Sequence, residues 1–217
     1  MADDFLSLLL SLGSPWSTVD ILGWSMGGHI LQRLTTRSVD AQVDSSSGLI
    51  KVAKGRITVR KIILAATLTK LPKGDLDVNA MQAEAESIQD KQARKEWMTE
   101  QMLRYQYDEV SLGDPSSPLL PVLKHRIQVS LKTSRPQAII AQQFLAISGL
   151  TLTEEDLSKI PNTVETLIIH GEKDRMVHPY MGKRLQQWIK HAKVVDLSDG
   201  PHGAREHMYG HFVSHRE

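Results

Sequence analysis

A serine framed by glycines, Gly23-Trp24-Ser25-Met26-Gly27, is where residue type and spacing first point to chemistry. A serine hydroxyl attacks an acyl carbon only if a base takes its proton and a carboxylate orients that base. The context of the motif is what gives it weight. It directly follows a short apolar run, Val19-Asp20-Ile21-Leu22, and directly precedes a helical pattern from about Met26 to Thr35. A tight turn from strand to helix strains the backbone at the serine and lifts its hydroxyl clear of the sheet. Gly23 and Gly27 are expected to keep side chains out of that crowded corner, and Gly28 extends the clearance into the helix. The N-terminus of a helix presents N–H groups and a positive dipole end. The N–H of Met26, next after the serine, could therefore stabilise an oxyanion.

The orienting carboxylate is expected to be Asp174, in His170-Gly171-Glu172-Lys173-Asp174, just past an apolar strand. Catalytic groups in open α/β sheets collect at such strand ends. Glu172 in the same loop and Asp75 after an earlier strand remain rivals. For the base, His202 in Asp199-Gly200-Pro201-His202-Gly203 follows a strand and precedes the last helical pattern. His207, His211 and His215 share one stripe of that helix, which raises a metal site. The Glu directly after the first histidine of a zinc-protease helix is missing, so a polar helical face explains them better. His29, His170 and His178 read as structural.

Which elements would carry these residues? The pattern predicts a helix over about 2–12, closed by Gly13-Ser14-Pro15, and then the Val19–Leu22 strand. Residues 36–56 are polar, with Ser45-Ser46-Ser47-Gly48, and read as a surface loop. Lys61 to Thr67 is a nearly continuous apolar run, as a parallel strand buried on both faces requires. From Asn79 to Tyr107 the sequence is charged and helical; a break marked by Pro115, Pro118 and Pro121 follows, and a helix starts near Pro136. Thr153 with Asp156 three residues on suits an N-capped short helix. A strand at Thr166–His170, a helix at about 180–191, a strand at Lys193–Leu197 and a helix from about Ala204 complete the order. Strands alternating with helices predict an α/β fold, a mostly parallel sheet flanked by helices. Residues 1–78 are expected to form the serine-bearing part of the core, 79–149 a helical cap or lid insertion, and 150–217 the part carrying the acid and histidine.

Composition narrows the partners. At 217 residues the chain can bury a real core. Lys plus Arg (26) nearly cancels Asp plus Glu (25), so charge supplies no argument for nucleic acid or an anionic membrane. No cysteine is present, which excludes disulfides, thiolate metal sites and a cysteine nucleophile, and leans toward a cytoplasmic address. The apolar run Phe5–Leu12 follows Asp3 and Asp4, where a secretory signal would want positive charge. It is also far short of the roughly 20 residues of a transmembrane helix.

Taken together, Val19–Gly28 (VDILGWSMGG), Thr166–Val177 (TLIIHGEKDRMV) and the His202 loop resemble the α/β-hydrolase superfamily, in its capped esterase-, lactonase- and lipase-like branch. The chain order serine, aspartate, histidine is that of the superfamily. The resemblance implies Ser25 as nucleophile, Asp174 as acid and His202 as base, acting on a small-molecule ester, lactone or similar acyl bond without cofactor or metal. The departure lies at the front. Such proteins place several strands, and a loop supplying a second oxyanion donor, before the nucleophile strand. Here Met1 falls at the helix leading into it, so a truncated sheet and weakened activity are expected. An apolar strand edge left open in this way could drive self-association. The alternative reading is an inert or regulatory remnant of such a hydrolase, with the triad unused.

Overall fold

The computed structural model describes residues 2–11, 17–71, 75, 77–107, 109–133, 136–149, 151–171 and 174–195. In chain order the elements are α1 (Ala2–Ser11), β1 (Thr18–Trp24), α2 (Met26–Thr36), β2 (Gln42–Val43), β3 (Ile50–Val52), β4 (Ile57–Ala65), α3 (Val78–Glu86), α4 (Lys91–Arg104), α5 (Glu109–Gly113), α6 (Leu119–Lys132), α7 (Gln137–Ser148), α8 (Glu154–Leu157), β5 (Glu165–Ile169), α9 (Pro179–Trp188) and β6 (Lys193–Val194). The chain divides into two compact units. The first comprises Met1–Leu71, Ala146–His170 and Pro179–Asp196, and the second Pro72–Leu145, Gly171–His178 and Leu197–Glu217.

The first unit is built around β4. One edge of β4 pairs in parallel with β1 along its length, from Thr18 opposite Thr58 to Trp24 opposite Ala65. Its other edge is shared: Ile57–Val59 pair antiparallel with β3, and Lys61–Ala65 pair in parallel with β5. β6 then adds in parallel to β5. Ile62 and Leu64 of β4 are almost fully buried, as are Val59, Leu34 of α2, Ile168 of β5 and Leu185 of α9. Leu6 of α1 joins the same core, so the apolar run near the start of the chain is a packed helix face. Among the described residues β1 pairs with β4 alone, and its Leu22 and Trp24 are 57% and 41% exposed.

Two expectations need correction here. Residues 36–56 are not simply a loop, because β2 and β3 form a hairpin within them that extends the sheet. The strands are only two and three residues long, so no alternation is legible; Ile50 and Val52 become buried only in the folded core, which also holds Leu34 of α2 and Val59 of β4. The Asp44–Gly48 turn is held by the Asp44 carboxylate, which accepts from the hydroxyls of Ser47 (2.8 Å) and Ser46 (3.0 Å). These bonds pull the Asp44 carboxyl down to about 2. Likewise β4 starts at Ile57, four residues before the predicted strand.

The second unit is helical in its described part. The single helical stretch expected from Asn79 to Tyr107 is two helices, because Asp90 caps α4 by accepting from Ala93 N–H (2.6 Å). The proline-marked break also hides a helix. Pro118 sits at the N-cap of α6 and Pro121 within its first turn, where a missing N–H costs nothing. Leu119 and Leu123 of α6 pack with Tyr107 and Leu112 in a small core of their own.

Two contacts in the first unit yield tests. α2 approaches the end of β4 so closely that a Cβ on Gly28 would lie 2.4–2.8 Å from the side chain of Thr67, which is fully buried. Gly28→Ala is expected to destabilise the protein by about 1–3 kcal/mol in urea titration. Gly27→Ala, whose Cβ would meet nothing within 4 Å among the described residues, is expected to be neutral or slightly stabilising. The second contact joins the end of α2 to α8, where Arg37 grips buried Asp156 with two bonds of 2.8 and 2.6 Å. Thr153 completes a capping box around Asp156. The Arg37 guanidinium holds the Asp156 carboxyl well below the usual carboxylate range, against the opposing effect of burial. A carboxylate with a depressed folded pKa stabilises fully above its unfolded value, about 3.9, and less as pH falls through the folded one. Asp156→Asn should therefore cost about 1.5–3 kcal/mol at pH 7 and flatten the loss of stability below about pH 4, read from urea midpoints at both pH values.

Candidate active site

Ser25 stands between the last residue of β1 and the first of α2, with φ 49° and ψ −121°. A left-handed φ is unfavourable for a residue with a Cβ, so the surroundings must hold it, at a cost of about 1–3 kcal/mol. They do so through both backbone groups. Ser25 N–H donates to Ala65 O at 2.9 Å, continuing the β1–β4 ladder one step beyond the strand. Ser25 C=O accepts from the Thr67 hydroxyl at 2.6 Å and from Gly28 N–H at 3.0 Å. Although Ser25 occupies the N-cap position of α2, its side chain makes no capping bond. Met26 opens the helix, where N–H groups have no acceptor four residues back.

The glycines divide the work differently from the expectation. A Cβ on Gly23 would lie 2.6 Å from Gly28 Cα and 2.8 Å from Gly27 O, so the corner closes only on glycine there. Gly28 is equally constrained, by Thr67. Gly27 is not: among the described residues a Cβ there meets nothing within 4 Å, so crowding does not explain that glycine.

Behind the elbow, α2 is bound to the segment after β4. His29 Nδ1 lies 3.0 Å from Leu68 O, and Gln32 Nε2 donates to the same carbonyl at 3.2 Å and to Gly28 O at 3.1 Å. A carbonyl only accepts, so Nδ1 carries the proton. Burial depresses the His29 pKa, the Leu68 bond only partly offsetting it. His29 is thus a neutral structural histidine. Ala66, between Ala65 and Thr67, also has a left-handed φ of 43°, and its N–H donates to Ile169 O at 2.8 Å. Sequence reasoning missed Thr67, whose only signal is its place just past the strand beside the serine.

Asp174 belongs to the second unit, in the loop that follows β5. It is 5% exposed, and its Oδ1 accepts from the N–H groups of Met176 (2.9 Å) and Val177 (2.8 Å). Its rival Asp75 is half exposed and already engaged, with Oδ1 3.1 Å from His178 Nε2 and Oδ2 3.7 Å from Arg175 Nε. His170 packs its ring against Gly182 of α9. Glu172, His202, and the stripe of His207, His211 and His215 lie outside the described residues. Among the described residues no three or more His, Cys, Asp or Glu side chains cluster as a metal site. Nor is any described helix long and apolar enough to cross a membrane.

Comparison with known proteins adds a family to this geometry. The sequence pattern of the alpha/beta hydrolase family matches residues 1–213. The AB hydrolase superfamily protein YisY of Bacillus subtilis (strain 168) is 41% identical over 59 residues, which are 26% of this chain and 22% of YisY. Among solved structures, the enol-lactonase from Burkholderia xenovorans LB400 superposes with a TM-score of 0.61 at 20% identity, covering 90% of this chain and 62% of the lactonase. An esterase from Exiguobacterium antarcticum gives 0.57 at 21% identity, covering 90% of this chain and 63% of the esterase. At such identities the likeness is one of fold. The chain spans less than two thirds of the length of either structure. A mostly parallel sheet carrying a strained serine between strand and helix, under a family pattern that runs almost from end to end, places the chain in the alpha/beta hydrolase family.

Proposed function

We propose that the protein is a serine hydrolase that cleaves an ester, lactone or similar acyl bond through an acyl-enzyme on Ser25. The observation that carries this reading is the left-handed backbone of Ser25, held at the strand–helix corner by Ala65 and Thr67. Strain maintained at one serine by its surroundings is characteristic of functional sites. In this reading His202 takes the Ser25 proton as the hydroxyl attacks the acyl carbon. The N–H of Met26 stabilises the oxyanion, and His202 returns the proton to the leaving alkoxide. Water then repeats the sequence to release the acid. Asp174 orients the imidazole; its burial and its two backbone hydrogen bonds favour it over exposed Asp75.

A second reading has support in one observation. Among the described residues β1 pairs with β4 alone, and the exposed Leu22 on that strand supports self-association by strand pairing. A dimer in sedimentation analysis that reverts to monomer in Leu22→Lys is the expected result, and a monomer at every concentration removes this reading.

For the hydrolase reading the decisive measurement is intact-mass labelling with a fluorophosphonate probe. One adduct is expected on the wild-type chain and none on Ser25→Ala. Asp174→Asn should keep the fold and lower kcat/KM by about 10⁴-fold. A chain that circular dichroism shows to be folded, yet gains no adduct, would leave the family membership standing and end the claim of activity.

A further inference from the structure

Arg175 follows the acid candidate directly, and in the second unit it is the point where three separate segments meet. Its Nη1 donates to Glu109 Oε1 of α5 at 3.0 Å. Its Nε lies 3.7 Å from Asp75 Oδ2, in the segment after β4. Its guanidinium carbon stands 4.7 Å from the ring centroid of Tyr105, at the C-terminal end of α4. The main chain joins in, with Asp75 N–H donating to Arg175 O at 3.3 Å. His178, at the far end of the same loop, returns to Asp75 Oδ1 at 3.1 Å. Glu109 is held from its other side by Arg104 of α4, at 3.4 Å.

Exposed ion pairs taken singly contribute little to stability. The arrangement here is different in kind. A planar guanidinium spans two carboxylates from different segments and faces an aromatic ring, which fixes its position in three directions. The loop so fixed is the turn whose Met176 and Val177 N–H groups clamp the Asp174 carboxylate. A displacement of about 1 Å in a supporting group can cost on the order of 10²-fold in rate.

We propose that Arg175 is a positioning residue for Asp174, and that Asp75, Glu109 and Tyr105 are its anchors, so that the α4–α5 segment sets the geometry of the acid. The role assigned to the acid rests on the hydrolase reading above. The clasp itself does not. Asp75, a rival for the acid from sequence, is then an anchor of the acid loop.

The test compares wild type with Arg175→Met, Arg175→Lys and Glu109→Gln, all as full chains. Amide hydrogen exchange at Met176 and Val177 is followed by NMR, beside kcat and KM for p-nitrophenyl acetate. Arg175→Met should speed exchange at those two amides by about tenfold or more, and lower kcat by about ten- to a hundred-fold with little change in KM. Arg175→Lys should recover part of the loss, since an ammonium reaches one carboxylate but cannot bridge two. Glu109→Gln should move both readouts in the same direction by less. If exchange and kcat in Arg175→Met match wild type, the proposal is overturned. If Arg175→Met speeds exchange throughout the chain, Glu109→Gln decides, and wild-type values there overturn it as well. A wild-type chain with no turnover and no labelled Ser25 would defeat the hydrolase reading, and the two amides alone would then decide the clasp.

Discussion

The hydrogen bond from Ser25 N–H to Ala65 O has the form of one more rung in the β1–β4 ladder, yet its donor has already left the strand. That rung holds the serine at a φ of 49° while the chain turns into α2. The next donor is Thr67, whose hydroxyl secures the serine carbonyl, and Thr67 can reach it because Ala66 is itself left-handed. Two strained residues just past the ends of neighbouring strands thus support one another. The strain is affordable because β4 lies deep in the sheet, with β1 on one edge and β3 followed by β5 on the other.

From this seam the arrangement of α2 follows. Gly28 lets the helix settle on Thr67, and His29 with Gln32 ties its inner face to Leu68 O. Arg37 at the C-terminal end binds Asp156, a partner 119 residues away in sequence. The helix after the serine is therefore fixed at its start, middle and end by polar contacts, over an apolar face that includes Leu31 and Leu34.

The second unit meets its constraints with charge. Its described apolar core is small, centred on Tyr107, Leu112, Leu119 and Leu123. Arg175, Glu109, Asp75 and Arg104 supply directional contacts beside it. Asp174 needs such contacts, because a buried carboxylate is tolerated only when its oxygens are hydrogen-bonded. The two adjacent N–H groups meet that need at Oδ1 through the turn itself.

Which of these features were legible in the residues alone? The elbow was, because a glycine–serine–glycine turn between an apolar strand and a helix is encoded within ten residues, and so was the capping box of Thr153 and Asp156. The apolar runs at Ile62–Ala65 and Thr166–Ile169 announced buried parallel strands for the same local reason. The β2–β3 hairpin was not legible, since Ile50 and Val52 are too few to show a period and are buried only in the folded core. The sequence by itself determined the α/β class, the serine corner and the place of the strands β1, β4 and β5, all of which rest on local spacing and hydrophobic period. Tertiary structure alone decided that Thr67 buttresses the serine, that Gly28 and not Gly27 is sterically required, and that Asp75 serves Arg175 and His178. Those outcomes depend on contacts between residues tens to more than a hundred positions apart, and no local pattern records a contact that only the folded chain creates.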